Sequence, residues 1–271
     1  MPIALIVEDE PEANRLLALL IQLRGYRTES AFSGDEALRI ARDRRPDVVF
    51  LDLMLPDTNG YDVCRALKAR RETNPIPVIM VTARLAEENR VQSFQVGASR
   101  FVAKPYTPDQ IFDALSAAAA WRREIEVEAP EGQIVLDTRT STGPYEQVSR
   151  LISLLLTRTA LDEESVRRLG QAMVELSQAV IDWGHRHAIE RVAMIDYAIR
   201  PDRLILTIRD CGAGWLHSDT LPHESGLGGL IARGRFEDIY ESDDSSELVL
   251  TKRLPPSPAP EIDGQRDGGA S

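Results

Sequence analysis

The chain lacks several features that mark common protein classes. Its 271 residues include only two cysteines, Cys64 and Cys211, without the paired spacing of metal ligands. This usage indicates a reducing compartment and argues against a disulfide framework or a structural zinc site. No apolar run reaches membrane-spanning length, and the N-terminus carries no charged-then-apolar signal. We therefore expect a cytoplasmic protein without a membrane partner.

Basic residues are scarce relative to acidic ones. The chain has 32 Lys and Arg against 43 Asp and Glu, which gives a net charge of −11 and a pI near 5.0. A nucleic-acid binder needs a basic face for phosphate contacts, so the charge argues against a nucleic-acid partner. The length and a hydrophobic content of 43% suit two domains of ordinary size.

The chain is organised around a strand that ends in an acid. The run from Val48 to Leu51 has no polar alternation, as expected of a parallel strand covered on both faces, and Asp52 follows it. Pro56 and Gly60 mark the loop beyond. Asp52 is therefore predicted at the carboxyl end of a central strand, where open α/β sheets bind their ligands.

Other strand-like runs also end in polar residues. Glu8 and Asp9 follow one run, Thr82 follows a second and Lys104 a third, with helical segments between them. In such a β-α repeat the strands are parallel and their carboxyl ends meet at one edge. Three carboxylates there would repel one another unless a divalent cation lay between them, and Mg²⁺ prefers oxygen ligands.

These residues resemble the receiver domain of bacterial two-component response regulators over residues 1 to about 121. The resemblance implies a doubly wound α/β fold with five parallel strands, as in flavodoxin, and a phosphorelay in which Asp52 accepts a phosphoryl group from a histidine kinase or a phosphotransfer protein. The matching motifs are Glu8-Asp9, Asp52 with Pro56 and Gly60, Thr82-Ala83, and Lys104-Pro105 with Phe101 three residues before the lysine.

The resemblance also implies the roles of the other site residues. Asp9, Asp52 and the carbonyl of Met54 would hold Mg²⁺, supported by Glu8. Lys104 and Thr82 would bind the phosphoryl oxygens, Phe101 would move inward as the switch aromatic, and the Lys104-Pro105 bond would be cis. The face around the last helix, from Thr107 to about Trp121, would serve a homodimer or pack against the next domain.

Beyond this region the pattern changes. Residues 122–132 mix charges with proline and glycine and are predicted as a linker, and residues 133–254 form a second domain. Helical stretches followed by strand-like runs indicate an α+β layer, with helices on one face of a mostly antiparallel sheet. Residues 255–271 are rich in proline and glycine and are predicted to be a disordered tail.

Two helical segments have clear apolar periodicity. The first runs from Glu12 to Arg24, and the second from Asp162 to Trp183, with one apolar stripe predicted to face a sheet. The spaced apolar residues are Leu16, Leu19, Leu20 and Leu23 in the first segment, and Val166, Leu169, Met173, Leu176, Val180 and Trp183 in the second.

Two glycine clusters point to a second site. Asp210 with Gly212 and Gly214 follows the strand-like run that ends at Arg209, and the stretch 226–229 opens the next helical segment. Glycines let backbone amides approach phosphates, and a helix start adds donors and a favourable dipole. Either cluster alone is equally consistent with a tight turn, but together with Glu175 on the long helix they become specific.

Residues 133–254 resemble the GHKL ATPase superfamily, in particular its anti-sigma-factor serine kinase branch, which has a Bergerat-type α+β fold. The resemblance implies ATP as a cofactor, a lid over residues 215–225, and Glu175 as the group that orients or deprotonates the attacking hydroxyl. The nucleotide-binding residues would be Asp210, Gly212 and Gly214 at the adenine, and Gly226, Gly228 and Gly229 at the phosphates.

One position departs from that family. In the family, the helix glutamate is followed four residues later by an asparagine that holds Mg²⁺. In this chain Ala179 stands at that position. A methyl group cannot coordinate a metal. Gln178 points away from the site because it lies about 100° around the helix. Asp182 lies seven residues after Glu175, on nearly the same face, and either supplies the missing oxygen or is an ordinary solvated acid.

Three hypotheses for the output follow. The first is a protein serine/threonine kinase or anti-sigma-type switch acting on a small anti-anti-sigma (STAS-like) protein or a sigma factor. The second is a pseudokinase module that binds a partner and catalyses nothing, and the third is a phosphoryl sink in which only the N-terminal domain matters. A histidine autokinase is disfavoured, because no histidine lies on a dimerisation helix ahead of the ATP domain.

Overall fold

The protein contains two five-stranded sheets joined through helix α5. A computed structural model describes residues 1–83, 87–127, 130–216, 227–243 and 246–255. The predicted tail, apart from Pro255, therefore lies outside the described residues. Among the described residues, no helix is long and apolar enough to cross a membrane.

The N-terminal sheet has the predicted flavodoxin-like architecture. Its strand order is β2-β1-β3-β4-β5, and every pair of neighbouring strands is parallel. Strands and helices alternate, so the helices cover both faces of a sheet whose central strands are buried along their length. The elements are β1 Ile3–Val7, α1 Pro11–Gln22, β2 Arg27–Ala31, α2 Gly34–Arg44, β3 Val48–Leu51, α3 Gly60–Lys68, β4 Val78–Thr82, α4 Glu87–Gln95, β5 Arg100–Ala103 and α5 Pro108–Val127.

The C-terminal sheet is antiparallel and has the order β6-β7-β8-β10-β9. Along β7 and β8 buried residues alternate with half-buried ones, because helices cover only one face. The elements are β6 Glu131–Asp137, α6 Gly143–Arg158, α7 Glu163–His187, β7 Arg191–Ile199, β8 Arg203–Asp210, α8 Leu227–Gly234, β9 Asp238–Glu241 and β10 Glu247–Arg253.

Helix α7 confirms the predicted apolar stripe. All six residues named for it are at most 4% exposed and belong to the core beneath the C-terminal sheet. The helix begins after Asp162, whose carboxylate accepts a hydrogen bond from the Ser165 amide at 2.8 Å. It ends at His187, and Ala188 after it has the left-handed conformation. Capping at the N-terminus and burial of one face together fix this helix.

The last N-terminal helix is longer than predicted. Helix α5 continues to Val127, and β6 begins at Glu131, so most of the predicted linker is helix and strand. Ile125 is 4% exposed and lies one turn beyond Trp121, which extends the apolar face of the helix. The sequence pattern did not predict this continuation because Arg122 and Arg123 interrupt the apolar periodicity.

Three of the four leucines that suggested helix α1 are exposed, and the fourth, Leu20, is partly buried against the core. Leu16, Leu19 and Leu23 are 54%, 56% and 74% exposed, whereas Leu17 and Ile21 are 2% and 0% exposed. Both sets have helical spacing, so periodicity alone could not decide between them. Packing against the sheet and α5 decides it, since Leu17 and Ile21 join the core of that face.

Polar contacts fasten the two halves together. The Arg71 guanidinium, in the loop after α3, donates to the backbone carbonyls of Leu156, Thr159 and Leu161, with distances of 2.7 and 2.6 Å to the latter two. The Leu156 and Thr159 carbonyls lie at the end of α6, where helical carbonyls lack partners, and the Leu161 carbonyl lies in the loop to α7. Nearby, the buried hydroxyl of Ser153 donates to Asn74 Oδ1 at 2.6 Å.

Candidate functional site

Strand pairing brings the predicted N-terminal site residues to one edge of the sheet. Val7 and Leu51 are register partners at the ends of β1 and β3, so Glu8 and Asp52 follow side by side, and the Asp52 amide donates to the Val7 carbonyl at 3.0 Å. Thr82 ends β4 opposite the last residue of β5, and Lys104 follows.

Lys104 joins the two buried carboxylates. Its ammonium contacts Glu8 Oε2 at 2.5 Å and also contacts Asp52 Oδ2. Glu8 and Asp52 are 4% and 7% exposed. Burial raises the pKa of Glu8, and Lys104 only partly opposes that shift. Burial lowers the pKa of Lys104, but its bonds to Asp52 and Glu8 outweigh that effect and raise it. The lysine thus offsets part of the negative charge of these two carboxylates, and a divalent cation would offset the rest.

The loop after β3 fixes the Asp52 carboxylate. Oδ1 of Asp52 accepts a hydrogen bond from the Met54 amide at 3.1 Å, and Oδ2 contacts Lys104, so each carboxylate oxygen has a partner. Gly60 closes the loop against the backbone. A Cβ atom built on Gly60 would lie 2.2 Å from the Asp52 carbonyl oxygen, so a side chain there would push the loop and the carboxylate apart.

We expect Gly60→Ala to destabilise the protein by about 1–3 kcal/mol, because the added methyl overpacks rigid backbone. It should also slow acquisition of a phosphoryl group on Asp52. Urea denaturation and intact-mass spectrometry would measure the two effects. Gly143→Ala is the matched control, since its Cβ would have 3.3 Å to its nearest neighbour. Equal stability of Gly60→Ala and the wild type would contradict this account of the loop.

The sequence analysis did not identify two residues that support the Asp52 site. Asn14 is 3% exposed. Its amide donates to the Glu8 carbonyl at 3.3 Å, and its Oδ1 accepts from Ser30 at 2.7 Å. Asp57 accepts from the amides of Gly34 and Asp35, which lowers its pKa and anchors the loop after β3 on the start of α2. For Asn14, the sequence feature that could have identified it is a polar residue on an apolar helix face. No sequence feature marked Asp57.

The predicted Mg²⁺ ligands offer oxygen donors only. Among the described residues, no group of three or more His, Cys, Asp or Glu is placed to hold a metal by itself. The buried carboxylate of Asp52 and the exposed Asp9 lie at adjacent strand ends, and Met54 can contribute a backbone carbonyl. Carboxylate and carbonyl oxygens with room for water are the donor set that Mg²⁺ prefers, so the residues fit this ion.

The remaining N-terminal residues lie beside this cluster. Thr82 is 1% exposed at the end of β4. Phe101 on β5 is half-buried against the core that contains the side chains of α2 and α3. The Lys104-Pro105 bond is cis, as the resemblance implies. The roles of Thr82 and Phe101 in switching stay predictions.

In the C-terminal half, Asp210 ends β8 and organises the first glycine turn. Its Oδ1 accepts from the Ala213 amide at 2.6 Å, and Oδ2 accepts from the Leu216 amide at 3.4 Å. Gly212 and Gly214 have φ values of +83° and +77°, which explains why glycine stands at both positions. The geometry therefore accounts for the motif as a tight turn, and the carboxylate keeps further acceptor capacity.

Glu175 has a partner that the sequence did not suggest. Its Oε2 forms an ion pair with Arg233 of α8 at 2.5 Å, and Oε1 accepts from Gln171 at 3.0 Å. The bond from Arg233 lowers the pKa of Glu175, which makes the carboxylate a weaker base. Helix α8 contains Gly228 and Gly229, and Gly226 lies outside the described residues.

Asp182 is engaged locally. Its Oδ1 accepts a bond from Gln178 Nε2 at 2.7 Å, and Gln178 in turn accepts bonds from Gln95 of α4 and from the Tyr145 hydroxyl. Gln178 therefore faces the N-terminal half, consistent with the prediction that it points away from the glycine clusters. An oxygen of Asp182 would have to leave Gln178 before it could replace the ligand missing at Ala179.

The first residue of the predicted lid is a core residue. Trp215 is 0% exposed and packs in the core of the C-terminal half. This corrects the interpretation of residues 215–225 as a lid beginning at the tryptophan. Residues 217–225 lie outside the described residues.

Comparisons with known proteins agree on the N-terminal half. The family model "Response regulator receiver domain" matches residues 4–116. The transcriptional regulatory protein AfsQ1 of Streptomyces coelicolor is 33% identical over 68% of this chain and 80% of its own length. The DNA-binding response regulator MtrA of Mycolicibacterium smegmatis is 28% identical over 77% of this chain and 94% of its own length.

Several other curated relatives match over only 43–59% of their own length. Among solved structures, the chemotaxis response regulator CheY4 of Vibrio cholerae is 27% identical, with a TM-score of 0.42 over 44% of this chain and 98% of that one. The family model ends before α5 does, so it describes the first sheet and leaves the second unassigned.

Proposed function

The chain belongs to the response regulators, with a receiver domain at its N-terminus, and we propose that Asp52 accepts a phosphoryl group from an upstream histidine kinase or phosphotransfer protein. The observation that carries this proposal is the buried Asp52 carboxylate, which has Lys104 on one oxygen and the Met54 amide on the other. Labelling of Asp52 by a small-molecule phosphodonor tests it.

In the proposed reaction an Asp52 oxygen attacks the phosphorus of a phosphohistidine. A P–O bond forms, the P–N bond breaks, and the histidine nitrogen leaves with the electron pair and takes up a proton. Bound Mg²⁺ would neutralise charge on the transferring group. Lys104 would exchange its contact with Asp52 for one with a phosphoryl oxygen, because the ammonium already touches the reacting carboxylate. The buried Thr82 hydroxyl would donate to a second oxygen.

The exposed side of α1 offers a surface for a protein phosphodonor. The helix begins two residues after Asp9, next to the site, and Leu16 and Leu19 on the helix and Leu23 just after it are exposed at one-turn steps. An apolar stripe beside a reactive group is characteristic of a protein-binding surface. This arrangement supports transfer from a protein donor rather than from a small metabolite alone.

Coupling to the second half would pass through α4. Gln95 at the end of α4 donates to Gln178 of α7 at 2.9 Å, and Ser141 donates to Glu87 at the start of α4 at 2.7 Å. Movement of Thr82 and Phe101 towards the phosphoryl group would alter the position of α4, which lies between their strands in sequence. Phosphorylation would thereby shift these contacts.

For the output, the proposal is a GHKL-like module that binds ATP and acts on a small partner of the anti-anti-sigma (STAS-like) class or a sigma factor. Three features support it: the helices on one face of an antiparallel sheet, Asp210 with its left-handed glycines after β8, and Glu175 facing α8 across an ion pair. The acid, the turn and the second glycine cluster occur in the order that the resemblance requires.

A pseudokinase module is the second candidate, and two observations favour it for the chemical step. Ala179 offers no metal ligand, and the ion pair with Arg233 lowers the pKa of Glu175. A carboxylate held by an arginine is poorly placed to take a proton from a hydroxyl. The module would then bind its partner under receiver control without transferring phosphate.

Calorimetric titration of the full chain with ATP separates these candidates. The pseudokinase candidate predicts ATP binding that is indifferent to Mg²⁺ in the wild type and dependent on Mg²⁺ in Ala179→Asn, because asparagine restores an oxygen ligand. Arg186→Asn, on the exposed end of the same helix, is the matched control. Strong Mg²⁺ dependence in the wild type would favour a kinase, and absence of ATP binding in both proteins would overturn the nucleotide proposal while leaving the Asp52 proposal intact.

DNA binding is the output that the relatives' names suggest. AfsQ1 is named as a transcriptional regulator and MtrA as a DNA-binding one. The net charge of −11 opposes this output, since duplex binding requires a basic face. Salt-dependent retention of the phosphorylated chain by random duplex DNA would favour it over the GHKL-like module.

A further inference from the structure

A cavity of about 540 Å³ lies between the two halves of the chain. Helices α3 and α4 contribute one wall, and α6 and α7 contribute the other. Binding sites for small molecules commonly measure about 300–1,000 Å³ and occur where domains meet. Neither the Asp52 cluster nor the glycine turn at Asp210 lines the cavity, but Glu175, the helix acid of the second candidate site, forms one edge of it.

Most of the wall is apolar. Val148 and Ile152 of α6 face Val166 and Val174 of α7, and Gly170 leaves space beside Ile152. A Cβ at Gly170 would lie 3.0 Å from Ile152, so this glycine permits the close approach of the two helices. An apolar ligand group that displaces water from such a wall makes the free energy of binding more favourable.

One buried cation interrupts this wall. Lys68 of α3 is 8% exposed, and its ammonium donates to the backbone carbonyls of Asn74 and Ile76 at 2.8 and 2.7 Å. No carboxylate among the described residues pairs with it. Burial lowers the pKa of Lys68 to about 8. An ammonium has three N–H donors, and the two carbonyls use two of them.

The other cations of the wall are already compensated. Arg65 pairs with Asp62, and Arg167 pairs with Glu164 at 2.6 Å. Lys68 is therefore the wall cation whose charge is balanced only by carbonyl dipoles. A single anionic oxygen group from a ligand would complete its hydrogen bonding and its charge.

We propose that this cavity binds a small amphipathic carboxylate, with the carboxylate at Lys68 and the apolar body between Ile152, Val166 and Val174. The single positive charge of Lys68, bonded only to backbone carbonyls, is balanced by the single negative charge of one carboxylate. A phosphate dianion would keep uncompensated charge among apolar side chains. Because the ligand would touch both halves, its binding would depend on their arrangement.

The test uses the full chain and two probes of equal length, decanoate and decan-1-ol, in isothermal titration calorimetry. We expect decanoate to saturate one site per chain and to bind at least about tenfold more weakly to Lys68→Met, which removes a charge-assisted hydrogen bond. Decan-1-ol should bind the wild type and Lys68→Met equally. Arg65→Met is the matched control and should keep the decanoate affinity of the wild type, because Asp62 already neutralises that arginine.

A second variant tests the location without altering charge. Val174→Phe fills the space from α7 and should abolish binding of both probes, while circular dichroism confirms that the variant is folded. Failure of decanoate to bind the wild type would overturn the proposal. Binding that persists in Val174→Phe, or that is equal in Lys68→Met and the wild type, would overturn it as well.

Discussion

Asp52→Asn should acquire no phosphoryl group from phosphoramidate in the presence of Mg²⁺, whereas the wild-type chain gains one. The reason is chemical: an amide oxygen is a far weaker nucleophile than a carboxylate, and it cannot form a stable acyl phosphate. The replacement has nearly the same shape, so the contact with the Met54 amide is retained. Intact-mass spectrometry measures the outcome directly.

Asp57→Asn is the matched control for that experiment. Asp57 lies in the same loop and is also an aspartate, but its carboxylate is occupied by the amides of Gly34 and Asp35 at the start of α2. Asparagine keeps an oxygen that can accept from the Gly34 amide and so retains the anchor of the loop, and we therefore expect this variant to be labelled as the wild type is. Labelling of Asp52→Asn at the wild-type level, or loss of labelling only in Asp57→Asn, would assign the phosphorylation site elsewhere.

Trp215→Ala should destabilise the C-terminal half by about 3–5 kcal/mol, the usual cost of removing a large buried aromatic side chain. Trp215 is fully buried and follows the glycine turn, so its indole anchors that turn to the core beneath the sheet. The turn carries Asp210, and we therefore expect ATP binding, if present in the wild type, to weaken as well. Chemical denaturation followed by far-ultraviolet circular dichroism measures the stability change.

Two further variants sharpen this prediction. The Trp215 indole N–H has no hydrogen-bond acceptor among the described residues, so Trp215→Phe loses no hydrogen bond and should cost only about 1 kcal/mol for the lost volume. Trp121→Ala removes a half-buried tryptophan and should cost less than Trp215→Ala. Similar losses for Trp121→Ala and Trp215→Ala would argue that Trp215 is no anchor.

The sequence by itself predicted the N-terminal fold and the grouping of its charged residues. Runs without polar alternation, separated by helical segments, predict parallel strands, and parallel strands place their carboxyl ends at one edge. That rule is enough to bring Glu8, Asp52, Thr82 and Lys104 together. The stripe of α7 was predictable for a similar reason, because its residues have one period and one face to bury.

Other features depend on contacts between residues far apart in the chain. The buried face of α1 is formed by Leu17 and Ile21 although three other leucines fit the same period, and only packing against the sheet distinguishes them. The ion pair between Glu175 and Arg233 joins residues 58 positions apart. It changes the basicity of a residue whose motif suggested a catalytic role.

The relation between the two halves was decided by the tertiary structure alone. Three features arise where surfaces of separate segments meet. They are the contact of Arg71 with the end of α6, the bond between Asn74 and Ser153, and the cavity lined by Lys68. Local patterns determine which residues are buried in a helix or strand, because backbone geometry is periodic. They carry no information about which surfaces meet, because that depends on the shape and charge of both partners.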